Sequence, residues 1–149
     1  MTAARGSGLA VGLRATVRAV VGEADTAASM GSGDVPVLAT PRLLALAEAA
    51  SVAAVGPHLG AEQTTVGTAA RLEHRRASPL GAELSVEAEL TEIDGPRLVF
   101  MFIARGPGGG AGEGGEGGEA EVIGAGTVER VVLNRERFLA RLAPVSWIS

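Results

Sequence analysis

The sequence predicts an α+β domain in which one long helix packs against an antiparallel sheet of about five strands. One apolar segment lies between helix signals, Thr40-Pro41 at its start and Gly56-Pro57 at its end. Five other segments alternate apolar and polar residues as strands do, one before the helix and four after it. With 149 residues the chain has the size of one ordinary domain, so we expect a single domain over residues 1–149.

The first strand is predicted within residues 8–21, where apolar side chains alternate with Gly, Thr and Arg. Residues 22–36 are rich in Gly, Ser and Asp and show no period, which predicts a lid-like loop over a cleft. The helix follows from Thr40, whose hydroxyl can cap the free amides of the first turn, to about Val55. Its apolar residues lie on nearly all sides, so we expect other structure to enclose it.

Four strands are predicted after the helix, at residues 64–74, 82–93, 98–104 and 121–133. Asp94-Gly95 indicates a hairpin between the third and fourth of the five strands, and residues 134–142 return to helical spacing. One helix wrapped by a curled antiparallel sheet is the hotdog fold. Hotdog domains usually pair sheet to sheet with ligand sites in the seam, so we expect a homodimer.

A glycine-rich segment at residues 106–120 separates the last two strands. Its many glycines and few acidic residues bury too little apolar surface to order a chain, which predicts a flexible hairpin insert. A phosphate-binding loop is disfavoured because no strand-to-helix context and no Lys accompany the glycines.

Composition excludes several classes of function. The net charge is −4 and the densest basic stretch, residues 71–76, includes Glu73, so we expect no nucleic-acid partner. The absence of Cys excludes disulfides and thiolate chemistry, and two histidines leave little for a metal site. No run of about 18 uncharged apolar residues could cross a bilayer, and Arg14 and Arg18 interrupt any signal-like segment. We expect a cytoplasmic protein without a membrane partner.

Three segments together resemble the fluoroacetyl-CoA thioesterase family of hotdog proteins. They are VLATPRLLALAEAASVAAVGPHL, TTVGTAARLEHRRASPLG and GAGTVERVVLNRERF, within a match from about Val35 to Phe138. The resemblance implies an acyl-CoA thioesterase that hydrolyses a short-chain thioester. It also implies that no separate cofactor is needed, since coenzyme A is part of the substrate.

The resemblance implies a catalytic set formed by Thr40, Glu48 and His74. It further implies that the Gly67 amide helps to hold the thioester carbonyl and that Arg130 lies near the site. Thr40 and Glu48 are eight residues apart, so they can face one groove about 12 Å apart along the helix. A carboxylate in apolar surroundings is a strong base, and a neighbouring imidazole can relay its proton.

Each of these residues also has a purely structural interpretation. Thr40 could simply cap the helix, Glu48 could face solvent or pair with an arginine, and His74 could be a surface histidine. Gly67 could mark a bulge, and Arg130 could form a solvated ion pair. The functional interpretation depends on all five occurring together at these spacings.

The sequence departs from the family pattern at the substrate lid. Members that select fluoroacetyl-CoA have aromatic residues just before the catalytic Thr, whereas residues 31–36 here include none. We expect Val35 and Leu38 to line a small pocket that accepts other short acyl chains. Phosphates of coenzyme A could be bound by any of four arginines, which the sequence does not rank: Arg42, Arg71, Arg75 and Arg76.

Three alternatives remain open from the sequence. The first is a non-catalytic hotdog module that binds acyl-CoA or another small apolar ligand. The second is a hotdog dehydratase or hydratase, which usually has a different motif at the helix start. The third is a structural subunit that completes a heterodimer.

Overall fold

The computed structural model describes residues 8–107 and 120–142. Its five strands are β1 (Arg14–Val20), β2 (Gln63–His74), β3 (Glu83–Asp94), β4 (Arg97–Gly106) and β5 (Glu121–Asn134). Its α-helices are α1 (Ala27–Met30), α2 (Thr40–Val55) and α3 (Arg135–Arg141), with 3-10 turns at Glu23–Asp25 and Gly56–His58. Within the described residues, none of the helices has the length and apolarity needed to span a bilayer.

The strands form one antiparallel sheet in the order β1-β3-β4-β5-β2. The sheet is curled but not closed, so β1 and β2 are its two edges. Helix α2 lies on its inner face, mainly against β1 and β3. The predicted α+β architecture with one central helix and five strands is therefore confirmed, and so are the predicted bounds of α2.

The core lies between α2 and the inner face of the sheet. Strand β3 alternates as predicted, with Leu84, Val86 and Leu90 buried and the glutamates between them turned outward. Strand β4 adds Phe100 and Phe102 from the neighbouring position. Each such side chain contributes about 1.5–3 kcal/mol when it leaves water, so burial of this face fixes the register of the sheet.

The hairpin predicted at Asp94-Gly95 joins β3 to β4. Asp94 pairs with Arg97, so the two turn residues are Gly95 and Pro96. Gly95 has φ +59°, the left-handed conformation that a two-residue hairpin turn needs at its first position and that glycine adopts without strain. Pro96 follows where a fixed negative φ is acceptable.

Two predictions near the N-terminus are wrong in part. Strand β1 begins at Arg14 rather than near residue 8, and Gly12 has φ +104° in the turn that precedes it. The segment 22–36 is not an aperiodic loop throughout, because it contains a 3-10 turn and α1. Local hydrogen bonds order it: the Gly22 amide donates to Asp25, and the Ser29 amide donates to Thr26 Oγ1.

The glycine-rich insert begins one residue later than predicted. Gly106 is the last residue of β4 and pairs with Glu121, the first residue of β5. The insert therefore connects two strands that are already neighbours. The prediction of flexibility concerns mainly residues 108–119, which lie outside the described residues.

Candidate active site

The start of α2 brings Thr40 into contact with His74. Ala39 occupies the N-cap position without a side-chain cap, and Thr40 is the first helical residue, followed by Pro41. Thr40 Oγ1 lies 2.8 Å from His74 Nδ1, and which of the two donates depends on the imidazole tautomer. The predicted capping role of Thr40 is wrong, because its hydroxyl is used in this contact instead.

His74 is the last residue of β2, where it pairs with Gly124. Burial lowers the pKa of His74, because desolvation disfavours the imidazolium, and the backbone of Arg76 acts in the opposite direction. Nε2 of His74 is buried and has no hydrogen-bond partner among the described residues. One imidazole nitrogen therefore contacts Thr40, and a role of His74 in proton transfer stays a prediction.

Glu48 lies two turns further along α2 and faces a cation. Arg130 Nη1 donates to Glu48 Oε2 at 3.2 Å, and the Glu48 side chain is 40% exposed. The structural interpretation of Glu48, in which it pairs with an arginine, is confirmed, and its surroundings are not purely apolar. Arg130 is the more buried partner, at 7% exposure. Desolvation lowers the pKa of Arg130, and the nearby charge of Glu48 acts in the opposite direction.

Gly67 leaves room for this ion pair on strand β2. A Cβ added at Gly67 would lie 2.5 Å from Glu48 Oε2 and 3.3 Å from Arg130 Nη1. The register of β2 against β5 also shifts between Gly67 and Ala69, which indicates a bulge. Any side chain at Gly67 would displace Glu48, so the contact explains the glycine. Binding of a thioester carbonyl by its amide stays a prediction.

The candidate residues form two separate clusters. Thr40 contacts His74, while Glu48 contacts Arg130 and packs on Gly67. Among the described residues no hydrogen bond joins the two clusters. Thr40 and Glu48 are eight positions apart on α2, which corresponds to about 12 Å along the helix axis. The structure thus pairs the predicted residues but does not bring Thr40, Glu48 and His74 into one contact, and their catalytic roles stay predictions.

The predicted lid residues differ in their surroundings. Val35 is 49% exposed and is free to meet a ligand. Leu38 is 2% exposed and packs in the core, and its amide donates to the Ser78 carbonyl at 2.8 Å. The expectation that Leu38 lines an acyl pocket does not fit this burial, because its side chain already packs against core residues.

The four arginines considered for phosphate binding all have carboxylate partners. The pairs are Arg42–Asp25 at 2.8 Å, Arg76–Glu121 at 2.9 Å, Arg75–Glu73 at 3.2 Å and Arg71–Glu73 at 3.9 Å. All four arginine side chains are more than a third exposed. Exposed ion pairs contribute little, so these arginines could exchange a carboxylate for a phosphate.

Sequence reasoning missed Thr65. This residue is 9% exposed and holds the Arg130 guanidinium through two hydrogen bonds. The sequence TTVG gave no signal that separates Thr65 from Thr64, because the pairing depends on β2 lying beside β5. In the described part of the chain, no three His, Asp or Glu side chains come together as metal ligands.

A cavity of about 510 Å³ lies elsewhere in the molecule, at the ends of β1, β3 and β4. Arg18, Ser85 and Arg105 are among its lining residues, and none of the candidate residues contributes to it. The two clusters instead lie along α2 and the edge strand β2. We therefore place the candidate site by its side-chain contacts and not by the size of this cavity.

Comparison with known proteins identifies the family of the chain. The profile of the family described as fluoroacetyl-CoA-specific thioesterase matches residues 21–136. The fluoroacetyl-CoA thioesterase of Streptantibioticus cattleyicolor is 35% identical over 106 residues, which cover 71% of this chain and 68% of that protein.

Solved structures of related proteins share the fold of this chain. A structure of the fluoroacetyl-CoA thioesterase superposes with a TM-score of 0.74 and 32% identity, over 90% of this chain and 95% of that chain. A hot-dog-like protein from Thermanaerovibrio acidaminovorans, 19% identical with a TM-score of 0.72 over 91% of this chain and 94% of its own, shares the fold. The hotdog fold is thereby confirmed, and the chain belongs to the family of fluoroacetyl-CoA-specific thioesterases.

Proposed function

We propose that this protein is a homodimeric, cytoplasmic acyl-CoA thioesterase that hydrolyses a short-chain acyl-CoA with Thr40, Glu48 and His74. Membership of the family makes the chain a thioester hydrolase. The observation that carries the assignment of residues is the 2.8 Å contact between Thr40 Oγ1 and His74 Nδ1, on the helix that also presents Glu48. The proposal requires no metal and no redox cofactor.

Each residue has a role that suits its surroundings. Glu48 either activates water or attacks the carbonyl to form an anhydride that water then hydrolyses. Thr40 positions the reacting group, and His74 passes a proton to the departing thiolate of coenzyme A. The Gly67 amide and the N-terminus of α2 supply donors for the carbonyl oxygen as negative charge develops on it.

The acyl group is proposed to be short, and fluoroacetyl-CoA is one candidate. The relative from Streptantibioticus cattleyicolor is named for that substrate. Val35 is exposed just before α2, and residues 31–36 include no aromatic side chain. A lid without aromatic groups favours a broader choice of short acyl chains.

The proposed dimer is supported by the edge strand β2. It has 12 residues and pairs only with β5, and its middle residues 67–71 are largely exposed. A long unpaired edge with small side chains, such as Ala69 and Ala70, readily pairs with a second chain. Pairing two copies of β2 would cover this edge and enclose the groups beside Gly67.

The experiment that tests the proposal is steady-state hydrolysis of a panel of acyl-CoAs, followed by thiol release. The panel contains acetyl, fluoroacetyl, propionyl, butyryl, malonyl and phenylacetyl esters. Wild type is expected to hydrolyse at least one of them, and Glu48→Gln is expected to lose about a hundredfold or more in kcat, as when a general base is removed.

Glu62→Gln serves as the matched control, because Glu62 is exposed and lies in the turn before β2. This variant should keep the rate of the wild type. Hydrolysis of none of the six esters by a folded wild type, or full activity in Glu48→Gln, would contradict the proposal. Tight binding of acyl-CoA without turnover would favour the non-catalytic binding module.

A further inference from the structure

We infer that Thr65 is a positioning residue for Glu48 and acts through Arg130. The inference rests on the proposed function, since it concerns the carboxylate that we place in the reaction. It adds a residue that lies on the edge strand, touches no proposed reacting group, and determines where the carboxylate points.

Thr65 binds one edge of the Arg130 guanidinium at two points. Arg130 Nε donates to Thr65 Oγ1 at 2.8 Å, and Nη2 donates to the Thr65 carbonyl at 3.0 Å. Both residues are buried, at 9% and 7% exposure. Because a guanidinium is planar and rigid, two contacts on one residue fix both its plane and its rotation.

The same plane then aims the third nitrogen at Glu48. Nη1 donates to Glu48 Oε2 at 3.2 Å, and this is the hydrogen bond that the structure gives the Glu48 carboxylate. Gly67 leaves the space in which the two groups meet. The position of Glu48 above β2 therefore depends on the rotation of Arg130, which Thr65 sets.

Burial explains why the Thr65 hydroxyl cannot be lost without consequence. Desolvation lowers the pKa of Arg130, so its charged form relies on nearby acceptors. Removal of Thr65 Oγ1 would leave Nε as a buried donor without a partner. The guanidinium would turn to find another acceptor, and the hydrogen bond from Nη1 to Glu48 would lengthen or break.

The test compares Thr65→Val with Thr65→Ser, using Thr64→Val as the matched control. Valine keeps the shape of threonine without the hydroxyl, and serine keeps the hydroxyl. Thr64 is the neighbouring threonine on β2 and takes no part in the hydrogen bonds that Arg130 makes to Thr65 and Glu48. We expect Thr65→Val to lose about tenfold or more in kcat, since small misplacement of a reacting group is costly. KM should change less than kcat, while Thr65→Ser and Thr64→Val stay near wild type.

A double-mutant comparison separates positioning from a general effect on folding. In a Glu48→Gln background, Thr65→Val should cost nothing more in kcat, because the residue through which it acts is already inactive. An equal loss of kcat in both backgrounds would overturn the inference.

The Arg130 Nε–H signal in NMR spectra gives a test that does not depend on activity or on the folding of a variant. The hydrogen bond to buried Thr65 predicts slow exchange with solvent in the wild type, and rapid exchange would overturn the inference. If the wild type is active and Thr65→Val is fully active, the role of Thr65 is overturned while the proposed function stands. A folded wild type that hydrolyses no thioester would overturn the proposed function first, and the role of Thr65 with it.

Discussion

The start and the middle of helix α2 present their candidate side chains in different ways. At its start, Thr40 and His74 share one hydrogen bond, and the second imidazole nitrogen has no partner among the described residues. Two turns later, Glu48 meets an arginine that makes two further hydrogen bonds to Thr65. The first contact is one hydrogen bond between two side chains, whereas the second belongs to a network of three hydrogen bonds around Arg130. We therefore expect mutations at the start of α2 to change mainly activity and mutations around Arg130 to change stability as well.

The largest expected effect comes from breaking the first pair. His74→Ala should lower kcat/KM about 10²- to 10⁴-fold, the range for loss of general acid–base catalysis, while urea unfolding changes little. Stability is spared because the imidazole gives up one hydrogen bond and one buried nitrogen that had no partner. Thiol-release kinetics and urea titration measure the two quantities.

His58→Ala is the control for the first pair, because His58 lies in the turn after α2 and outside both clusters. It should keep the activity of the wild type. A marked fall in the free energy of unfolding of His74→Ala would mean that His74 is structural. The contrast between the start and the middle of α2 would then be lost.

Breaking the contact between Glu48 and Arg130 should lower the stability of the fold. Arg130→Met leaves Thr65 and Glu48 without their donors, and we expect a loss of about 1–3 kcal/mol in the free energy of unfolding, as for buried groups deprived of a hydrogen-bond partner. Urea titration measures it. Arg97→Met is the matched control, because Arg97 also pairs with carboxylates but is exposed. Equal losses in the two variants would show that burial of Arg130 has no special effect.

A smaller effect is expected from pH. The pKa of His74 is lowered in the folded protein, so below the ordinary value of 6.5 the unfolded chain binds this proton more readily than the folded one. The free energy of unfolding should therefore be highest above pH 6.5 and should fall as the pH drops through 6.5 towards the lowered pKa. Urea titrations between pH 7.5 and pH 5 measure the slope, and His74→Gln should flatten it. If His74→Gln leaves the slope unchanged, the pH dependence of stability comes from other groups.

The elements that the sequence predicted well are those with local signals. Helix α2 begins at Thr40 and ends at Val55 as predicted, because Pro41 suits its first turn and Gly56-Pro57 stops it. The alternation in β3 predicted its buried face. The sequence was misleading before Arg14, where a backbone turn with Gly12 at φ +104° precedes the strand. It was also misleading in 22–36, where side-chain to backbone hydrogen bonds such as that of the Gly22 amide to Asp25 outweighed composition.

The site was predictable only through the family resemblance. Thr40 and His74 are 34 positions apart and Glu48 and Arg130 are 82 apart, so no spacing rule connects them. The resemblance identified these residues but gave neither their pairing nor the part played by Thr65. The inference that Leu38 lines a small acyl pocket came from the departure of residues 31–36 from the family pattern, and the Leu38 side chain packs in the core.

The sequence by itself determined the helix, the alternating strands and the family, because these depend on residues near one another in the chain or on motifs of fixed spacing. The tertiary structure decided which side chains meet. Glu48 contacts Arg130 because β5 places Arg130 opposite Gly67. Thr40 contacts His74 because β2 ends beside the start of α2. Such contacts arise from strand register and helix packing, which bring together groups that lie far apart in the sequence.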